Sequence, residues 1–116
     1  MATKTVNWID QVAGSHSPRK LVERRIAQAG LGVIRALRET TMSIEDAEQD
    51  FFNLDTYRAM RRRRLSSNLI EFMQWGMELE DVAQLAPGDL DQSYESMENL
   101  LLRCISSSLE RKAKNA

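Results

Sequence analysis

From Asn68 to Leu85 the chain reads NLIEFMQWGMELEDVAQL, and its apolar positions fall on two helical stripes rather than one. At 3.6 residues per turn Leu69, Met73 and Gly76 share one stripe, while Phe72, Trp75, Leu79 and Val82 share the other. A segment apolar on two sides packs against two neighbours, so this stretch is expected at the centre of a helical bundle. Gly76 divides it. The acidic residues Glu78, Glu80 and Asp81 follow the glycine and suit a helix N-terminus. The favoured expectation is therefore two helices, with Gly76 as a left-handed C′ residue between them, over a single continuous helix.

The same periodicity organises the rest of the chain. Trp8, Ile9 and Val12 could form one amphipathic turn, but Gly14-Ser15 follows and the flanks are polar, so residues 1–16 read as a flexible arm. Ser17-Pro18 is a helix start, with serine as N-cap and proline at the first helical position. Val22, Ile26, Ala29, Val33 and Ala36 carry that helix to about Glu39. Gly30 and Gly32 interrupt it, each at a cost of roughly 1 kcal/mol relative to alanine. Close approach of a neighbouring backbone, or of a ring such as Trp75, is the expected compensation. A phosphate-binding glycine loop does not fit, because no strand precedes the glycines and their spacing matches neither fingerprint.

Ser43 is the expected N-cap of a short helix to about Asn53, and Asp55 that of a helix from Thr56 to about Arg64, with Leu54 as its staple residue. Ser66-Ser67 caps the central stretch, and Pro87-Gly88 ends it in a turn. The last helix, 90–111, repeats Leu90, Tyr94, Met97, Leu101 and Cys104 at three and four. Leu100, Leu101 and Leu102 cover too wide an arc for one interface, which suggests a second partner such as another copy of the chain. The fold class is all-α: a compact bundle of five to six helices, longest at 18–39 and 90–111, with residues 17–116 as one domain. Phe72, Trp75, Leu101, Leu102 and Ile105 are the core or interface candidates.

Composition narrows the function by exclusion. At 116 residues, 42% hydrophobic and 28% charged, the chain is long enough for one core without disulfides or metal. It has one Cys and one His, 88 positions apart, and no pattern that marks a catalytic triad. Carboxylates are plentiful, but the familiar bundle metal site needs E-x-x-H motifs that this sequence lacks. An enzyme is not expected, and no cofactor or metal is implied. No apolar run approaches the ~18 residues of a membrane span, and the N-terminus lacks a signal-peptide core, so the expected location is cytoplasmic.

Net charge is −1, yet the charges are sorted into blocks. Residues 19–38 hold six Lys or Arg against Glu23 alone; residues 45–55 hold five carboxylates and no cation. Residues 58–64 hold five arginines (Arg58, Arg61, Arg62, Arg63 and Arg64), and residues 71–98 hold eight carboxylates with no Lys or Arg. Four consecutive arginines span about 300° of a helix, so either the helix frays there or one arginine turns inward to a carboxylate. Complementary surfaces within the protein or between copies explain such blocks most simply. The first expectation is a protein–protein interaction module (adaptor, regulatory subunit or immunity-type protein) that forms a homodimer and meets a basic partner through Glu78, Glu80 and Asp81. The alternative is a nucleic-acid- or anion-binding protein using the arginine run, which the net acidic charge disfavours.

Leu31–Leu37 (LGVIRAL), Ser43–Glu48 with Phe51-Phe52, and Gly76–Val82 followed by Pro87 together resemble a family of small uncharacterised bacterial helical proteins, over about residues 31–90. The resemblance implies a free-standing bacterial cytoplasmic domain and carries no assigned activity.

Overall fold

A computed structural model describes residues 7–14 and 17–114 and, among them, contains only helices and turns. Among the described residues seven α-helices follow one another: α1 (Trp8–Ala13), α2 (Arg19–Arg38), α3 (Ile44–Asp50), α4 (Leu54–Arg62), α5 (Ser67–Met77), α6 (Leu79–Leu85) and α7 (Leu90–Lys114). A 3₁₀ turn, Pro87–Asp89, joins α6 to α7. The architecture is the all-α one expected, with one or two more helices than the sequence pattern suggested.

Antiparallel packing of α2 and α7 forms the backbone of the fold; α5 packs along α7 and reaches α2 through the Phe72 ring at Gly30. Arg38 at the end of α2 meets Asp91 and Glu98 of early α7, while Glu23 near the start of α2 meets Cys104 farther along it. The core is continuous across these three helices: Val22, Ile26, Ile34 and Leu37 of α2, Leu69, Phe72 and Met73 of α5, and Met97, Leu101 and Cys104 of α7. Gly30 is where they meet. A Cβ there would lie 3.0 Å from both Leu101 Cδ1 and Phe72 Cζ, so the missing side chain admits both neighbours. The ring is that of Phe72, not Trp75, which is only partly buried. Gly32 has no such compensation: it is exposed, and nothing lies within 4 Å of the position its Cβ would take.

The central stretch does divide in two, but not at a left-handed glycine. The break falls at Glu78, with φ −99° and ψ −3°, and Gly76 remains helical within α5. Its absent side chain serves packing instead. The Phe52 ring, set edge-on to Phe72 at 5.5 Å, lies so close that a Gly76 Cβ would come within 3.0 Å of three ring atoms.

Helix ends explain several shifted boundaries. Asn53, not Asp55, caps α4: its Oδ1 accepts from the Thr56 N–H at 2.9 Å, and Leu54 is the first helical residue. Pro18 occupies the N-cap position of α2, one residue later than expected, and the Ser17 hydroxyl accepts from Arg25 instead. Ser43 caps α3 as expected, accepting from the Asp46 N–H. Two helices end in Schellman motifs whose left-handed residue is not glycine. Beyond α2, Thr40 (φ 56°) precedes the Thr41 N–H bond to Ala36 O; beyond α4, Arg64 (φ 54°) precedes the Leu65 N–H bond to Met60 O.

The expected arm is a structural element wherever it is described. Asn7 Oδ1 caps α1, and Ile9 and Ala13 are fully buried against the core. Trp8 packs edge-on to Phe51 at 5.5 Å and its indole N–H reaches Phe51 O at 3.4 Å. The Thr56 hydroxyl links two helix starts, donating to Asn53 Oδ1 and accepting from Asn7 Nδ2, each at 3.0 Å. Residues 1–6 and His16 lie outside the described residues.

Candidate functional site

The charge blocks of the sequence become two regions at opposite ends of α2. At the basic end, the helical run of α4 stops at Arg62, Arg63 is the C-cap and Arg64 turns left-handed, so the four consecutive arginines leave the helix in different directions. Both expected outcomes occur: the helix ends, and arginines turn to a carboxylate. Asp10 of α1 accepts from Arg63 Nε at 2.9 Å, and Arg62 Nη2 approaches its other oxygen at 3.5 Å. Asp10 is 27% exposed and Arg63 33%, so this pair is better shielded than an ordinary surface bridge, whose worth is ~0–1 kcal/mol. The carboxylates of residues 71–98, expected as partners, do not serve the arginine run. Arg58, Arg61, Arg62 and Arg64 are exposed, and Arg19 of α2 joins them by donating to Arg64 O at 3.5 Å. Arg58 and Arg62 border an open groove of about 930 Å³ between α1 and α4, shared with Asn7, Trp8, Asp10 and Asp55. Its mixed charge does not define an anion site.

At the opposite end α3 packs against α6, and its last turn lies beside the acidic start of α6. Glu45 and Asp46 lie in the first turn of α3, and Glu80 and Asp81 in that of α6, behind Glu78 at its N-cap position. These placements suit the helix dipoles individually, and where the helices touch, Glu48 in the last turn of α3 stands beside Glu80 and Asp81, forming an acidic shelf. Glu48 shows the consequence. Partial burial, then a hydrogen bond with Glu80 and the charges of Glu80 and Asp81, push its carboxyl up to about 7. Glu48 is therefore about half protonated near neutrality, where an ordinary carboxyl is fully ionised. Among the described residues, the carboxylates in ion pairs are Asp10, Glu39, Asp91 and Glu98, none of them on the shelf. Leu85, at the end of α6, is 84% exposed.

At this same end, the last residue of basic α2 does meet acidic α7. Arg38 Nη1 lies 2.7 Å from Asp91 Oδ1 and its Nε 2.6 Å from Glu98 Oε1, with the guanidinium 5.7 Å from the Tyr94 ring centroid. Of the core candidates, Phe72 and Leu101 are fully buried, Trp75 and Ile105 are partly buried, and Leu102 is half exposed. Cys104 is buried, its thiol pushed up by burial; no group of three His, Cys, Asp or Glu among the described residues is placed to hold a metal.

Sequence reasoning passed over Asp10, discounted with the arm, and Glu23. The Glu23 carboxylate, 8% exposed, accepts a short hydrogen bond from the Ser66 N–H and caps α5 from another helix, while the Ser66 side chain makes no cap. One signal was present: Glu23 is the lone carboxylate of a basic block and sits beside the apolar stripe at Val22 and Ile26.

Residues 18–116 match the family described as Protein of unknown function (DUF3969), a longer span than the resemblance at 31–90. No curated protein matches the chain, and no solved structure does. The match covers nearly the whole sequence, and the chain belongs to the DUF3969 family of proteins of unknown function.

Proposed function

We propose that this protein is a protein–protein interaction module without catalytic activity, an adaptor, regulatory subunit or immunity-type protein of the bacterial cytoplasm that works as a homodimer. The observation that carries the reading is the acidic shelf. Glu48 of α3 stands beside Glu80 and Asp81 of α6 against their mutual repulsion, outside the ion pairs found among the described residues, and Leu85 at the far end of α6 is exposed. A basic protein surface carrying an apolar anchor would relieve that repulsion and cover the leucine. The half-exposed Leu102 and Leu109 on α7 support self-association on a separate face. The lone cysteine agrees with a reducing compartment.

The decisive experiment is affinity purification of the tagged chain from its host, in parallel with Glu78→Lys/Glu80→Lys and Leu85→Ser variants. A stoichiometric protein retained by the wild type and released by both variants and by salt is the expected result. Retention unaffected by either variant would rule out the shelf as the contact. Light scattering tests the homodimer, which a strict monomer at high concentration would exclude. Nucleic-acid binding through Arg58, Arg61, Arg62 and Arg64 is the second reading, favoured by their exposure. It requires salt-dependent RNA or DNA binding that is lost when these arginines are replaced by alanine.

A further inference from the structure

We infer that two copies of the chain pair antiparallel along α7, with Leu102 of each copy against Leu109 of the other. The inference rests on the homodimer reading and specifies its geometry.

Leu102 and Leu109 are each 50% exposed and lie seven residues, about two turns, apart on one side of α7. Partly buried Ile105 and exposed Ser106 lie between them, so the four positions form the crossing patch of a helix pair. Charge then decides direction. From Leu90 to Leu102 the helix carries Asp91, Glu95 and Glu98 and no cation. From Arg103 to Lys114 it carries Arg103, Arg111, Lys112 and Lys114 against Glu110 alone. A parallel pair would set acid on acid, base on base, and align the helix dipoles. An antiparallel pair reverses all three. Asp91 and Glu98 already hold Arg38, which leaves exposed Glu95; this register places it about one helical turn beyond Lys112 of the second copy. A two-fold axis between Ile105 and Ser106 makes the contact isologous and closed, so the pair does not propagate into a filament.

Cysteine cross-linking tests the direction. In a parallel pair every interfacial position meets itself, whereas in an antiparallel pair only positions at the two-fold do. Ser106→Cys is expected to form a disulfide-linked dimer under mild oxidation. Asn99→Cys is not, because its two copies would stand about 20 Å apart along the axis. The wild-type chain is the control, since Cys104 is buried with a thiol pushed up by burial. Leu102→Glu should raise the dimer Kd about tenfold to a hundredfold while leaving the circular dichroism unchanged. A wild-type monomer in light scattering overturns the homodimer reading together with this one. A dimer that cross-links through Asn99→Cys alone, or through both positions, refutes the antiparallel direction only. A dimer that cross-links through neither, and survives Leu102→Glu, lies on another face and overturns the α7 assignment.

Discussion

Replacing Gly76 with alanine adds one methyl group at the point where the Phe52 ring lies on α5. In a free helix the change would stabilise by about 1 kcal/mol, because alanine has less backbone freedom to lose. Here the new Cβ would come within 3.0 Å of Phe52 Cδ1, Cγ and Cε1, atoms of a ring that is 3% exposed and braced edge-on against Phe72. These are not the free tip of a flexible chain, so the ring or the helix must shift, at an overpacking cost of about 1–3 kcal/mol and occasionally more. With the contact this short the upper end applies, and the net loss is about 2 kcal/mol. Unfolding entropy near 2.1 cal/mol/K per residue gives the 116-residue chain about 0.24 kcal/mol/K, so Tm falls by about 8 °C. Gly32→Ala is the internal control. With nothing within 4 Å of its Cβ it keeps the whole helix gain and raises Tm by about 4 °C. Gly30→Ala, facing Leu101 and Phe72 at 3.0 Å, falls between the two. Thermal unfolding followed by circular dichroism ranks the three variants. Combining Gly76→Ala with Phe52→Leu should recover about 1 kcal/mol relative to the sum of the single changes. If Gly76→Ala proves as stable as Gly32→Ala, the packing of Phe52 on α5 is wrong.

The two Schellman motifs carry left-handed residues that glycine would serve better, so Thr40→Gly and Arg64→Gly should each stabilise by about 1 kcal/mol in urea unfolding, an increase in midpoint without a change in m. Glu23→Ala removes a carboxylate that caps α5 from α2 and leaves the Ser66 N–H without that partner; a loss of about 2–3 kcal/mol is expected, with a smaller one for Glu23→Gln. Glu48 sets a pH dependence whose sign follows from its raised carboxyl. The folded state holds the proton up to about 7 and the unfolded chain releases it near 4.5, so this contribution is full below 4.5 and is lost as pH rises through 7. Glu48→Gln should flatten that decline in Tm, and an unchanged slope in the variant would show that the α3–α6 contact does not hold the proton.

Much of the fold was legible because helices are local. The 3.6-residue stripes marked α2, α5 and α7, and Ser43 capped α3 through a bond three residues away, which sequence spacing reports directly. The six residues of α1 carried the same amphipathic signal, but so short a helix has no stability of its own. Burial of Ile9 and Ala13 is what orders it, and that depends on α2 and α4 being in place.

The candidate site divides in the same way. An acidic block and an arginine run could be read from the sequence, and so could the expectation that the run must break or turn. Their partners could not. The arginines chose one carboxylate, Asp10, 53 positions from Arg63, over eight that lay closer beyond the run. Asp91 and Glu98 of the second acidic block did meet a cation, Arg38, but the packing of α3 on α6 set Glu48 of the first block against Glu80 and Asp81 of the second. By itself the sequence determined which segments are helical, where charge is concentrated and that both glycine and arginine clusters needed an explanation. Tertiary structure alone decided that Phe52 fills Gly76, that Phe72 and Leu101 fill Gly30, and that Gly32 is filled by nothing. The physical reason is range: backbone periodicity and caps act over three or four residues, whereas ion pairs and ring contacts depend on which distant segments hydrophobic burial brings together.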